Sequence, residues 1–165
     1  MEDHPYQQVV ETLNAWLLSE SQDIQLRPAS DASIQWLRAM RVPESVVTFF
    51  AVAEPSRWID IEGVEIGPIA GLKDANTQAV PGIATSQHGY VVIAKCISGD
   101  VYCLESNQEA QIEQIPIYIV NHEKIGETAS KEEVEAAVRL VVTGFHEFLS
   151  KFIARDLPYD FSHAI

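Results

Sequence analysis

No run of this chain approaches the roughly 18 consecutive apolar residues that cross a bilayer, so a membrane-spanning helix is excluded. The first eight residues, MEDHPYQQ, are polar and acidic, where a secretory leader carries a basic start and an apolar centre. The sequence therefore predicts a cytoplasmic protein. Positive charge is also scarce: 11 Lys and Arg stand against 24 Asp and Glu, a net charge of −13. Such a chain repels the phosphates of nucleic acid and of anionic membranes, so neither is expected as a partner. A basic protein, by contrast, is attracted and steered toward it.

Chemistry-bearing motifs are missing as well. There is no H-E-x-x-H, no set of paired cysteines for zinc, no Gly-Lys-Ser/Thr phosphate loop and no G-x-S-x-G elbow. Five histidines are present: His4, His88, His122, His146 and His163. His122-Glu123 and His146-Glu147 set a base beside a carboxylate in sequence, but adjacent side chains point in different directions and build no dyad. All five read as loop or surface histidines. No catalytic residue, metal or cofactor is expected, and the chain reads as not an enzyme. A small carboxylate-dependent hydrolase stands as a minor alternative, because acids are numerous and their separations are not fixed by sequence.

What is present is an ordinary globular composition, 47% apolar over 165 residues, enough for one domain spanning 1–165 with a proper core. Tyr6, Val9, Val10, Leu13, Trp16 and Leu17 recur at the three-four spacing of an amphipathic helix. Ser30 reads as the N-cap of a second helix with Ile34, Trp36, Leu37 and Met40 inward. Val42-Pro43-Glu44 ends it and starts a third, packing Val46, Val47, Phe49 and Phe50. From 53 to 89, eight glycines and prolines punctuate short apolar pieces, which predicts short strands and long loops.

Residues 88–120 predict two apolar strands around a tight Ser98-Gly99-Asp100 turn and a third strand from Ile115. A two-residue Gly99-Asp100 loop sets Cys96 opposite Cys103, and a three-residue loop sets Cys96 opposite Tyr102. Both cysteines read as reduced, buried and small. Ser130 to Glu133 has capping-box form, and Val134, Val138, Val141 and Val142 continue an apolar helical stripe. Phe145, Phe148, Leu149, Phe152 and Ile153 form a last helix, stopped by Leu157-Pro158. The acids are unevenly placed: Asp100, Glu105, Glu109, Glu113, Glu123, Glu127, Glu132, Glu133 and Glu135 share the span 100–135 with only Lys124 and Lys131.

The order of these features resembles the SUKH superfamily, which includes bacterial immunity proteins and fungal cell-wall-assembly regulators. The resemblance rests on Pro43 before Phe49-Phe50, on the GDVYCLE hairpin with Gly99, Asp100 and Tyr102, and on the FHEFL helix with Phe145, Phe148 and Leu149. It covers roughly residues 28–155. The chain departs from the family pattern at Ala53-Glu54-Pro55, where the family has Asn-Gly, and in the longer capped segment 130–142. The resemblance implies an α+β domain, a twisted, mostly antiparallel sheet with N- and C-terminal helices packed on it. It also implies a non-enzymatic immunity protein that neutralises a toxin, often a nuclease, by binding it. An intracellular regulatory or scaffold domain is the alternative. Candidate contacts for the basic partner are Glu54, Asp60, Glu62, Glu65, Glu105, Glu109, Glu113 and Glu123.

Overall fold

The computed structural model of the protein describes residues 4–106 and 114–164. Helix α1 (Gln7–Ser19) turns Val9, Leu13 and Leu17 inward, as its apolar spacing requires. Strand β1 (Leu26–Arg27) precedes α2 (Asp31–Ala39), whose Ser30 side chain accepts the Ser33 amide at 3.2 Å. Pro43 then opens α3 (Glu44–Ala53), which buries Val46, Val47, Phe49, Phe50 and Ala53. Strand β2 (Glu54–Pro55) pairs back onto β1 in a two-stranded sheet.

Strands β3 (Ile59–Ile61) and β4 (Val64–Ile66) form a tight hairpin, with Glu62 and Gly63 both at positive φ. Helices α4 (Ile69–Thr77) and α5 (Gly82–Gln87) follow, then β5 (Tyr90–Cys96), β6 (Val101–Glu105) and β7 (Ile117–Val120). Helix α6 (Lys131–Ala136), β8 (Val138–Val142) and α7 (Phe145–Ile153) complete the elements around the sheet. Its six strands run antiparallel in the order β3-β4-β5-β6-β7-β8.

The fold is α+β, with the helices near both chain ends on one face. Val91, Ile93, Tyr102, Leu104, Ile117 and Ile119 meet residues of α1, α3 and α7 there. The opposite face carries a second core in which Val92, Val101, Cys103 and Val120 pack with Ala75, Ala84 and Val134 from α4, α5 and α6. Strands β5, β6 and β7 thus alternate between two apolar layers, which is why β5 and β6 read as nearly continuous hydrophobic runs.

Four expectations need correction. Between 53 and 89 the chain forms two helices as well as strands. Pro68 and Pro81 hold their N-cap positions, so proline here starts helices where the sequence pattern suggested loop. Residues 138–142 form a strand, not the continuation of a helix: they pair antiparallel with β7, which takes the valines out of a helical stripe. The last helix ends at Ile153, and Arg155 takes a positive φ, two residues before the expected stop at Leu157-Pro158.

The β5–β6 turn comprises Ile97, Ser98 and Gly99. The Gly99 amide donates to the Cys96 carbonyl at 3.0 Å and the Cys96 amide to the Asp100 carbonyl at 2.8 Å. A further bulge at Ile93 sets Cys103 opposite Val92. The two thiols consequently lie in the cores on opposite sheet faces, and neither expected pairing of Cys96 is found.

Candidate functional site

Asp100 was read as a turn residue and the first of the acids in the span 100–135, and its side chain is the polar centre of one end of the molecule. It is 4% exposed. One carboxylate oxygen accepts the His122 amide at 3.0 Å and contacts His122 Nδ1 at 2.6 Å, and the other accepts the Phe161 amide at 2.7 Å. Burial raises its pKa, but the bonds from His122 and Phe161 outweigh it and hold the carboxyl below its ordinary value. The His122 ring lies against Gly99, where a Cβ would come within 3.0 Å of Nε2 and where φ is +101°. Glycine is needed there for room and for conformation.

The same corner fastens the C-terminal segment. Ser98 Oγ donates to the Tyr159 carbonyl at 3.0 Å, and the Tyr102 hydroxyl donates to the Pro158 carbonyl. The Arg139 guanidinium sits 4.3 Å from the Phe161 ring centroid and donates to the Ala164 carbonyl. Asp160 caps the 3₁₀ turn Phe161–His163; bonds from Ser162 and His163 bring its pKa down to about 2.

An aspartate bound to imidazole Nδ1 is the orienting half of a catalytic triad. Here, among the described residues, no hydroxyl or thiol bonds to His122 Nε2, and the Ser98 proton is committed to Tyr159. The cluster works as a clasp between hairpin and C-terminal segment. Among the described residues, no group of three His, Cys, Asp or Glu is placed to hold a metal ion.

The structure separates the candidate acids. Glu54, Asp60, Glu62 and Glu65 lie on β2–β4, whereas Glu105 and Glu123 lie on β6 and beyond β7. Glu109 and Glu113 fall outside the described residues. Most of the first group have local duties. Glu54 accepts the Ile69 amide at the start of α4 at 2.9 Å, and Asp60 accepts the Gly63 amide at 3.0 Å. Glu62 faces Arg155 at 3.6 Å, and Glu65 faces Lys95 at 4.0 Å.

The second group is divided too, because Glu105 and Glu123 lie at opposite ends of the β6–β7 ladder. Asn121 accepts the Glu123 amide at 3.1 Å and starts the 3₁₀ turn His122–Lys124, leaving the Glu123 side chain exposed. Ser130 and Glu133 form the expected capping box, and Val134 alone of α6 is buried, so Glu132, Glu133 and Glu135 face solvent. Glu135 has Lys131 at 3.9 Å, an exposed pair of little strength. Among the described residues, Glu123, Glu127 and Glu132 enter no ion pair. Glu135 and Lys131 line a polar cleft of about 230 Å³ with His88, Tyr90 and Glu105. Tyr118 donates to Glu105 at 2.8 Å within reach of the cleft, and burial together with Glu105 and Glu135 raises the Tyr90 pKa.

The Asp100–His122 clasp was missed because the two residues are 22 positions apart. The usable signal lies in the β6–β7 register: once Val101 pairs with Val120, Asp100 comes opposite Asn121 and within reach of His122, the next residue. Among the described residues no helix is long and apolar enough to cross a membrane. No known protein family, curated protein or solved structure matches the chain.

Proposed function

We propose that this chain is a cytoplasmic, non-enzymatic protein-binding domain of SUKH type, an immunity protein that neutralises a basic toxin by occupying its positive surface. The observation that carries this reading is the solvent-facing corner of Glu127, Glu132, Glu133 and Glu135, where the one ion pair among the described residues is Glu135 with Lys131. A nuclease toxin must present a basic cleft to phosphate, and such a cleft is complementary to this corner in sign. Two features agree with the resemblance: the Pro43-started helix with Phe49 and Phe50, and the α7 aromatics that cover the sheet. The acidic corner lies largely in segment 130–142, where the chain departs from the family pattern. That placement suits a family whose members share a scaffold and differ in partner.

Co-expression with the product of the adjacent reading frame, read out as growth of a bacterial host, tests the proposal. Restored growth and a co-purifying complex are expected. Absence of both protection and complex contradicts it.

A further inference from the structure

Strand β8 ends the six-stranded sheet, and among the described residues no strand pairs with its outer edge. The Asn121 amide donates to the Ala137 carbonyl at 2.9 Å, which marks 121 and 137 as a hydrogen-bonded pair. Alternation along the antiparallel ladder then turns the Arg139 backbone toward β7 and points the N–H and C=O of Val138 and Leu140 away from it. Among the described residues, nothing bonds to those four groups.

Edge strands are commonly guarded by an outward charge, a proline or shortness. The opposite edge, β3, is only three residues long. Strand β8 has five residues, VRLVV, with Leu140 49% exposed. Its one charge does not guard it, because Arg139 is engaged with Phe161 and the Ala164 carbonyl.

Charge decides which occupant fits. The chain enters β8 from Glu132, Glu133 and Glu135 and leaves it toward the exposed Glu147 in the first turn of α7. A second copy pairing antiparallel about Leu140 would bring its Glu147 end against the Glu133–Glu135 end, between molecules each carrying −13. Like charges in that arrangement oppose association. An extended segment with basic side chains meets acids at both ends instead.

We infer that an extended, basic segment of the partner adds to the sheet along β8, bonding its backbone to Val138 and Leu140 while its Lys or Arg side chains reach Glu135 and Glu147. Strand addition of this kind takes affinity from main-chain bonds and specificity from flanking side chains. The inference rests on the basic-partner reading and names how that partner docks.

Residue-resolved amide exchange of the full chain tests it with two synthetic peptides of equal charge. One is Lys-Val-Lys-Val-Lys-Val-Lys; in the other, proline replaces each valine and removes those amide donors. The valine peptide is expected to slow exchange at Val138 and Leu140 about tenfold or more, and the proline peptide to leave it unchanged. Leu140→Pro removes an outward donor without touching the β7 ladder and should abolish binding of the valine peptide. Leu140→Lys, which keeps the backbone, should weaken it. Equal binding of both peptides with no protection on β8 overturns strand addition while leaving the acidic surface as the partner site. Binding of neither peptide overturns strand addition, and if no toxin complex forms either, the basic-partner reading falls with it.

Discussion

A single carboxylate, Asp100, joins three parts of the chain that are remote in sequence: the β5–β6 turn, the segment after β7 and the C-terminal segment. Replacing it with asparagine keeps the shape but gives up the charge and sets an amide nitrogen against one of the donors. Asp100→Asn is expected to cost about 1–3 kcal/mol, read from urea unfolding near neutral pH. The pH dependence has a definite sign. The folded carboxyl titrates below its ordinary value, so its contribution is complete above the unfolded value of about 3.9 and is lost as pH falls through the folded one. The gap between wild type and variant should therefore close in acid. A gap that is constant down to pH about 3 would remove Asp100 from this role.

At the scale of elements, close approach between α4 and α5 depends on Gly82. A Cβ there would lie 1.7 Å from the Ala75 carbonyl oxygen, a backbone atom that cannot turn aside. Gly82→Ala is expected to destabilise by about 3 kcal/mol or more, because two helices must separate to admit one methyl group. Gly126→Ala, with nothing within 4 Å, is the control and should stay within about 0.5 kcal/mol of wild type. Thermal unfolding of the pair checks both. A mild Gly82→Ala would mean that the α4–α5 contact is slack.

The same elements show what was readable beforehand. Helices α1, α2, α3 and α7 were legible because each has a one-sided apolar stripe, a cap or a starting proline. Helices α4 and α5 were not, because their glycines answer to tertiary contacts: Gly67 and Gly71 make room for Trp58, and Gly82 for Ala75. Strand β8 was misread because Val134, Val138, Val141 and Val142 fit a helical period, and only β7 alongside reveals the strand. Of the candidate acids, Glu123 is exposed. Glu54 and Asp60 are occupied by backbone amides, which no charge count predicts.

At the scale of the molecule, which carries a net charge of −13, two groups of acids stand in contrasting environments. On the β3–β4 side, Glu62 and Glu65 meet Arg155 and Lys95. On the α6 side, Glu123, Glu127 and Glu132 meet no base among the described residues. The second surface adjoins the outer edge of β8, so charge and unpaired backbone occur together where segment 130–142 departs from the family resemblance. The most direct measurement of whether that surface carries an interaction is the Kd for the product of the adjacent reading frame, across salt, for wild type and for the combined variant Glu123→Lys, Glu127→Lys and Glu132→Lys. Wild-type affinity is predicted to weaken at least about tenfold between roughly 0.05 and 0.5 M salt, and the variant to bind weakly throughout. Equal affinity at both salt concentrations, retained by the charge-reversed variant, would contradict the account.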